Sequence, residues 1–553
     1  MLVSASRRTL AALLIASVIG GVIGSATPSV AAHGAEATAS SQSLPTAAEP
    51  AATSVDRISG SDRYGTSVAA SRAAFPEGTT PEVVYLVTGA DYPDAVAAGP
   101  VAAAAGAGLL LTAPDRLPAS VASELRRLGP ERIVLVGGTS AISSGVANSA
   151  ATIAPVTRIA GADRYSTAER LVRSVFAGPS GSGATHVYVA TGASFPDALT
   201  AGPAAAIADS PVVLVRGDRS TLTPSALTLL TELGASTVTI VGGTSVISSG
   251  IERQLRGLFG DDSVERTGGA DRYATALAVN SSAFGAASGR VFIASGTGYA
   301  DALAVAVFAA QQERPLYLSL PYCAPSAMRT ALGDVEQLTL VGGPAALSPG
   351  VGRLERCLSI DSASSLWVLV NKRNSLPSNY APSGLRSPSI PNVGTQYLRS
   401  VAASALEDMV TAARSEGAGR IGITSGYRSY ASQRSIYNQS LQSRGYATTE
   451  LYVARPGHSE HQTGLAADLY PIGAPNCSNY RCLGDTVQGR WLRDNAWRFG
   501  FILRYEPSQT SITGYGYESW HFRYVGPTLA ADYEASGHRT FEQFLGQPAA
   551  PSY

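Results

Sequence analysis

Short runs of β-branched and aliphatic residues alternate with alanine-rich stretches through the first two thirds of the chain. In the first hundred-residue unit this pattern predicts strands over residues 83–87, 109–111 and 133–136, and helices over residues 94–105 and 120–128. Continuous apolar strands separated by helices are typical of a sheet that is covered on both faces. We therefore predict an α/β fold with a parallel, Rossmann-like sheet.

This pattern occurs three times. The segment Arg57–Tyr64 returns at Arg158–Tyr165 and again at Arg266–Tyr273. Two further signatures keep step with it, Pro93-Asp94-Ala95 with Pro196-Asp197-Ala198 and Ala300-Asp301-Ala302, and Val136-Gly137-Gly138 with Val241-Gly242-Gly243 and Val341-Gly342-Gly343. About a hundred residues suffice for a small domain, unlike the shorter units of solenoid repeats. We place the repeats at residues 55–153, 154–261 and 262–358.

The polar residues that recur in each repeat allow two interpretations. Asp62, Asp163 and Asp271 each precede a predicted helix, where an aspartate can cap free N–H groups and the following arginine can pair locally. Alternatively, the helix N-termini and the Gly-Gly strand ends could hold a phosphate or a carboxylate. The pattern alone leaves both interpretations open.

The pattern changes near residue 360, where the repeat signatures stop and aromatic residues become more frequent. Apolar positions near helical spacing predict a long helix over residues 396–416. A strand that runs into a loop is predicted from residue 421, and further strands are predicted over residues 465–469 and 520–524. We assign residues 359–553 to a separate α+β domain.

Two imidazoles and two carboxylates in this domain are candidates for metal chemistry, in a chain with six histidines. A hydrolytic zinc site needs three protein ligands, an open position for water and a free carboxylate as base. His461, Asp468 and His521 can be the ligands and Glu518 the base. His461 and Asp468 are seven positions apart and would face opposite ways on one strand, but Gly464 permits a bend between them. Two histidines and one aspartate can also hold nonhaem iron, although an oxygenase would not require Glu518.

The N-terminus is typical of an exported protein. Arg7 and Arg8 precede an apolar segment and small residues, so residues 1–32 are predicted to be a cleaved signal peptide. Residues 33–54 are rich in Ala, Ser, Thr and Pro and are predicted to be a linker. No second apolar run has spanning length, so no membrane contact is expected after signal cleavage. We expect a secreted protein.

Composition narrows the possible partners. The sequence is 45% hydrophobic and 15% charged, with 41 Lys and Arg against 41 Asp and Glu. Such a chain has no field of one sign to attract nucleic acid, and nucleic-acid binding is not expected. Four cysteines fit an oxidising compartment. Cys477 with Cys482 and Cys323 with Cys357 are the natural disulfide pairs, although sequence does not fix the pairing, and a four-cysteine zinc site is the rival interpretation.

The three units resemble the cell-wall-binding repeats found in threes on surface proteins of Gram-positive bacteria. The resemblance covers about residues 55–358 and rests on the Arg-x-x-Gly-x-Asp-Arg-Tyr, Pro-Asp-Ala and Val-Gly-Gly signatures. It implies a pseudo-threefold arrangement and noncovalent binding to an anionic cell-wall polymer. Ala300 replaces the proline of the other two copies, so the third copy departs from the family pattern.

The C-terminal domain resembles the zinc D-alanyl-D-alanine carboxypeptidases of the VanY type. The resemblance covers about residues 366–527 and rests on Ser459–Asp468, Gly426–Ser429 and Glu518–His521, which carry the Ser-x-His-x-x-Gly-x-Ala-x-Asp, Gly-Tyr-Arg-Ser and Glu-x-Trp-His motifs. The segment Leu369–Lys372 matches as well.

This resemblance implies roles for single residues. His461, Asp468 and His521 become zinc ligands, Glu518 the catalytic base, and Arg428 the group that polarises the scissile carbonyl. The resemblance also implies four substrate-binding residues, Gln433, Ser425, Tyr427 and Ser459. The expected protein is a monomeric zinc carboxypeptidase of the cell wall that removes D-alanine from peptidoglycan stem peptides. An endopeptidase, an L,D-carboxypeptidase and a non-catalytic wall-binding or adhesion protein are the alternatives.

Overall fold

A computed structural model describes residues 54–92, 94–177, 183–332, 335–477 and 479–553. The predicted signal peptide, the predicted linker except Ser54, and Pro93 of the second signature lie outside these residues. None of the helices in the described ranges is both long enough and apolar enough to span a bilayer.

Among the described residues, each repeat contains four strands that alternate with four α-helices. The first consists of β1 (Ser54–Ile58), α1 (Arg63–Ala74), β2 (Val83–Thr88), α2 (Ala98–Ala104), β3 (Gly108–Thr112), α3 (Ala119–Leu128), β4 (Arg132–Val136) and α4 (Ser144–Ala151). The second consists of β5 (Val156–Ile159), α5 (Arg164–Phe176), β6 (His186–Thr191), α6 (Pro196–Ile207), β7 (Val212–Val215), α7 (Pro224–Glu232), β8 (Thr237–Val241) and α8 (Ser249–Phe259). The third consists of β9 (Val264–Thr267), α9 (Arg272–Phe284), β10 (Arg290–Ser295), α10 (Ala300–Gln311), β11 (Leu316–Ser319), α11 (Ser326–Ala331), β12 (Gln337–Val341) and α12 (Pro349–Gly352).

The three sheets are parallel, as predicted, but each one crosses a repeat boundary. Their strand orders are β3-β2-β4-β5, β7-β6-β8-β9 and β11-β10-β12-β1. The first strand of every repeat thus completes the sheet of the preceding one, and β1 closes the cycle on β12. The predicted limits separate sequence repeats, whereas the compact sheets are offset from them by one strand. This closed cycle confirms the predicted threefold arrangement.

An arginine of the first signature locks each exchanged strand in place. Arg57 on β1 donates from Nη1 to the carbonyl of Gly342 at 2.6 Å and from Nη2 to that of Leu347 at 2.9 Å. Arg158 and Arg266 make the equivalent Nη1 bond to the Gly-Gly signature, at 2.7 Å in both cases. The first glycine of that signature has a φ of 103° to 112°, a region that favours glycine. Two of the recurring signatures are therefore explained by strand exchange.

The aspartates of the first signature cap helices, which is the structural interpretation of that motif. Oδ1 of Asp62, Asp163 and Asp271 accepts a backbone N–H bond of 2.8 Å from the residue three positions on. Where the repeats meet, the alanine-rich helices α2, α6 and α10 pack against one another. Tyr92 and Phe195 approach there to 5.6 Å between ring centroids, and Tyr299 lies 6.0 Å from both. Alanine at 15 of the 31 positions of these helices permits this close packing.

Among its described residues, the C-terminal domain contains a four-stranded antiparallel sheet, a separate two-stranded antiparallel sheet and several helices, which confirms the α+β prediction. Its elements are β13 (Leu385–Arg386), β14 (Leu398–Arg399), α13 (Ser400–Ser415), β15 (Arg420–Ser425), α14 (Tyr430–Tyr452), β16 (Ala466–Ile472), α15 (Val487–Asn495), β17 (Phe501–Leu503), α16 (Thr510–Thr513), β18 (His521–Tyr524), α17 (Pro527–Ser536) and α18 (Phe541–Phe544). The sheet order is β15-β16-β18-β17. The predicted helix over 396–416 begins four residues later, at Ser400, because β14 precedes it.

The C-terminal domain docks on the third repeat through a buried carboxylate and an aromatic cluster. Asp532 of α17 accepts bonds from the hydroxyl of Ser348 at 3.2 Å, the N–H of Gly350 at 3.0 Å and Arg353 at 3.1 Å. Beside it, the ring of Tyr322 packs on Trp367 and Phe544.

The two natural cysteine pairs are both disulfide-bonded, Cys323–Cys357 and Cys477–Cys482, so the rival prediction of a four-cysteine zinc site is wrong.

We predict that Arg57→Ala loosens the third sheet, 285 positions away along the chain. Two charge-assisted hydrogen bonds are lost, which costs about 1–3 kcal/mol for a half-exposed side chain. Hydrogen–deuterium exchange followed by mass spectrometry should show faster exchange in β12 and unchanged exchange in β4. Arg116→Ala, which removes an exposed arginine that pairs with the adjacent Asp115, is the matched control. Equal exchange in β12 of the two variants would contradict the prediction.

Candidate active site

The strand register places two of the predicted ligands side by side. Asp468 on β16 pairs with His521 on β18, and the neighbouring strand β15 places Ser425 opposite Asp468. Phe522 and Tyr524 alternate with His521 and point into the hydrophobic core of the domain. His521 therefore points to the other face of the sheet, as its sequence pattern predicted.

His461 reaches the same face from a short 3-10 helix, Glu460–Thr463, where the sequence predicted a loop. Gly464 ends this helix with a φ of 69°, and β16 begins two residues later. A Cβ atom on Gly464 would also lie 3.0 Å from Leu385 and 3.1 Å from Pro382. Glycine is therefore required at this bend both for its conformation and for space.

His461, Asp468 and His521 form the three-residue cluster that the sequence predicted. One donor atom from each lies within 4.8 Å of the others. Asp468 joins the two rings, because its Oδ2 is 3.2 Å from Nε2 of His461 and its Oδ1 is 3.1 Å from Nδ1 of His521. Glu518 approaches Nδ1 of His521 to 3.9 Å and stays outside the cluster itself. Three ligands with an adjacent carboxylate match the donor set of a hydrolytic zinc site.

Hydrogen bonds on the far side of each ring decide which nitrogen faces the cluster. Nδ1 of His461 donates to the carbonyl of Gly426 at 2.7 Å, so its Nε2 carries the lone pair. Nε2 of His521 donates to the Glu460 carboxylate at 3.2 Å, so its Nδ1 faces the cluster. Metal-binding histidines generally have such a partner on the other nitrogen. Both rings are therefore oriented for metal binding.

The sequence motifs assign no role to Glu460, yet its carboxylate organises the buried charges behind the site. Its carboxylate accepts bonds from Arg504 at 3.0 Å and from Arg523 at 2.9 Å, in addition to the bond from His521. Arg504 also pairs with Glu542, which accepts a further bond from Asn371. The four charged side chains of this network are fully buried. The sequence does contain a signal for this buried network, because Arg523 lies two positions after His521 and so shares its face of β18.

The surroundings shift the ionisation of these groups. Burial and the nearby Arg428 lower the pKa of His461 to about 4. Burial alone would lower the pKa of His521, but its bonds to Asp468 and Glu460 raise that pKa to about 9. Burial raises the pKa of Glu518 to about 8. A carboxyl group whose pKa lies near neutrality can both accept and return a proton.

A cleft of about 590 Å³ opens onto the cluster. Arg428, Gln433 and Ser459 line it together with the three clustered residues and Glu518. Arg428 approaches Asp468 to 3.9 Å between Nη2 and Oδ2. The side-chain oxygen of Gln433 is buried without a partner among the described residues, while its nitrogen donates to the carbonyl of Ala454 at 2.7 Å.

Two of the predicted substrate-binding residues do not line this cleft. Ser425 lies on β15 beside the cluster, and the backbone N–H of Tyr427 donates to the carbonyl of Tyr397 at 2.6 Å. Their position favours a role in holding the strand end that leads to Arg428. His458, which precedes Ser459 in the chain, does not line the cleft either. Its Nδ1 forms a hydrogen bond with the carbonyl of Asn371, and its ring packs on Tyr553.

Family models match both parts of the chain. The model of D-alanyl-D-alanine carboxypeptidase, VanY, matches residues 395–527. The model of cell wall binding domain 2 matches residues 57–147, 158–252 and 266–352. The recurring signatures and the metal-site motifs fall within these matches.

Several known proteins are similar to this chain. It is 40% identical over 177 residues to YodJ of Bacillus subtilis, named as a carboxypeptidase, and the match covers 31% of this chain and 64% of YodJ. It is 36% identical over 170 residues to VanXYC of Enterococcus gallinarum, a bifunctional D-Ala-D-Ala dipeptidase and carboxypeptidase, covering 29% of this chain and 82% of that relative. The chain thus spans less than two thirds of the length of YodJ.

A solved structure shares the fold over most of the chain. Cwp6 from Clostridium difficile superposes with a TM-score of 0.50 at 19% identity, and the match covers 72% of this chain and 63% of Cwp6. At this identity the likeness establishes the fold alone.

The family is shown by the matching family models and by the 36% identity to VanXYC. The C-terminal domain belongs to the D-alanyl-D-alanine carboxypeptidase family, and three cell wall binding repeats precede it in the chain.

Proposed function

We propose that the protein is a secreted, cell-wall-anchored zinc carboxypeptidase that removes terminal D-alanine from peptidoglycan stem peptides. The observation that carries this proposal is the cluster of His461, Asp468 and His521, with Glu518 beside it and Arg428 in the same cleft. The family of the C-terminal domain supports the choice of a D-alanyl bond. The repeats support the location at the cell wall.

The three clustered residues would hold the zinc ion. Nε2 of His461 has no hydrogen-bond partner in the described part of the chain, and each ring is oriented by an acceptor on its other nitrogen. Nitrogen and carboxylate donors of this kind suit zinc. When bound, zinc acts as a Lewis acid on the peptide carbonyl and acidifies water.

Side chains in the cleft would carry the proton transfers and stabilise charge. Glu518 accepts a proton from the attacking water and later returns it to the leaving amine. Arg428 provides fixed positive charge where the carbonyl oxygen becomes negative. Gln433 and Ser459 line the same cleft and would bind the backbone of a stem peptide.

Anchoring would raise the local concentration of an insoluble substrate. Three repeats on one chain bind a polymer together, so that modest binding by each repeat still holds the protein at the wall. Export of this kind agrees with the two disulfides.

We predict that Glu518→Gln lowers the release of D-alanine by about 10²- to 10⁴-fold, because the amide can neither accept nor return the proton. Mass spectrometry of muropeptides with pentapeptide and tetrapeptide stems measures the loss and shows which bond is cut. Zinc content, measured by elemental analysis, should remain unchanged because Glu518 lies outside the ligand cluster. Identical muropeptide products from the wild type, the variant and chelator-treated protein would favour a non-catalytic wall-binding protein.

We predict that Glu460→Gln weakens zinc binding by about 10- to 100-fold, because it removes the charge that orients His521. Competition with a chromophoric zinc chelator measures the affinity. Glu542→Gln is the matched control, since Glu542 belongs to the same buried network but does not contact His521. Equal zinc affinities in the two variants would show that the network supports only the fold.

We predict that the repeats bind the anionic polymer of the wall. The Glu518→Gln variant should sediment with purified Gram-positive walls and remain in solution when those polymers have been stripped by acid. The inactive variant is used because it leaves the peptidoglycan unchanged during the assay. Equal sedimentation with stripped walls would mean that peptidoglycan itself holds the protein.

A further inference from the structure

One wall of the cleft is formed by a short 3-10 helix, Tyr480–Asp485, which the proposed reaction does not use. The disulfide Cys477–Cys482 joins the segment before this helix to its third residue. The Asn479 side chain caps the helix by accepting a 2.9 Å hydrogen bond from the N–H of Arg481. Both Tyr480 and Arg481 line the cleft. The disulfide and the cap constrain the first turn of this short helix.

Two contacts place this helix over the segment that carries Glu518. The ring of Tyr480 meets that of Trp520 edge-on at 5.1 Å between centroids. Four residues later, the N–H of Gly484 donates to the hydroxyl of Ser519 at 3.1 Å. Arg481 lies between these contacts, so it belongs to the Glu518 side of the cleft.

Arg481 is an exposed cation whose guanidinium lies 5.9 Å from the centroid of the Tyr480 ring, and no ion pair of it is found in the described part of the chain. Most arginines near the site are already paired, as Arg504 and Arg523 are with Glu460. Arg444 also lines the cleft, but it projects from α14, on the same helix as Gln433. The cleft therefore presents free positive charge on the wall next to the catalytic base, where an anionic group of the substrate would be attracted.

We propose that Arg481 binds the free carboxylate of the amino acid that leaves, and so makes the enzyme an exopeptidase. The inference rests on the proposed function. Glu518 returns its proton to the leaving amine, and the carboxylate of a terminal residue is attached to the carbon next to that amine. A carboxylate held on the Glu518 side therefore faces Arg481. An endopeptidase substrate has no carboxylate at this position, because another peptide bond continues from it.

The test compares two stem pentapeptides that differ only at the C-terminus, one a free acid and the other its amide. The wild type should prefer the acid. Arg481→Gln should raise KM for the acid about 10- to 30-fold with little change in kcat, as expected for loss of one charged hydrogen bond at an exposed site. KM for the amide should not change. Arg481→Lys should restore part of the preference.

Salt provides a readout that a purely structural role would not affect. Because Arg481 is exposed, KM of the wild type for the acid should rise with ionic strength, and this dependence should disappear in Arg481→Gln. Arg434→Gln is the matched control, because Arg434 is an exposed arginine of α14 outside the cleft. Its acid preference and salt dependence should equal those of the wild type.

Three results would overturn the inference. They are equal use of acid and amide by the wild type, an unchanged preference in Arg481→Gln, and loss of the preference in Arg444→Gln instead. Failure of the proposed function is distinguishable from these, because the wild type would then release no amino acid from either pentapeptide.

Discussion

The pairing of Asp468 with His521 across β16 and β18 is the constraint on which the site depends. Successive side chains of a strand alternate between faces, so a slip of one residue would turn either group into the core. The aromatic residues that alternate with His521 prevent such a slip, because they fill the hydrophobic core of the domain. Once this pair is fixed, the bend at Gly464 suffices to bring His461 to it.

This arrangement buries charged side chains, and the domain offsets the unfavourable desolvation of each one by pairing it with an opposite charge. Glu460 and Glu542 alternate with Arg504 and Arg523, so each buried charge has a partner of opposite sign. Unpaired, any of them would be strongly destabilising. Asn371 and Glu542 lie outside the matched family range of 395–527, yet both belong to the buried network, where Glu542 pairs with Arg504. The catalytic domain therefore needs the flanks on both sides of its family motif.

The ligand residues could be predicted because donor chemistry is local: few histidines and carboxylates share such spacing. The pairing of Glu460 with Arg523 could have been predicted, because Arg523 shares a face of β18 with His521. Its pairing with Arg504 could not be predicted, because Arg504 lies at the end of another strand. Strand exchange between repeats could not be predicted, because hydrophobic patterning identifies a strand without identifying its neighbour. Similarly, sequence spacing could not predict that the motif residues Ser425 and Tyr427 lie outside the lining of the cleft.

Closure of the three sheets has a mechanical consequence for the catalytic domain. Because β1 completes the third sheet, the three repeats form a closed ring in which each sheet depends on a strand from another repeat. The catalytic domain is fixed to that ring through Asp532 and the aromatic cluster around Tyr322. Its cleft is therefore not carried on a flexible linker. Under the proposed function, reach would come from the flexibility of the wall polymer and the stem peptides, and the orientation in which the repeats bind would determine which stem peptides are cut.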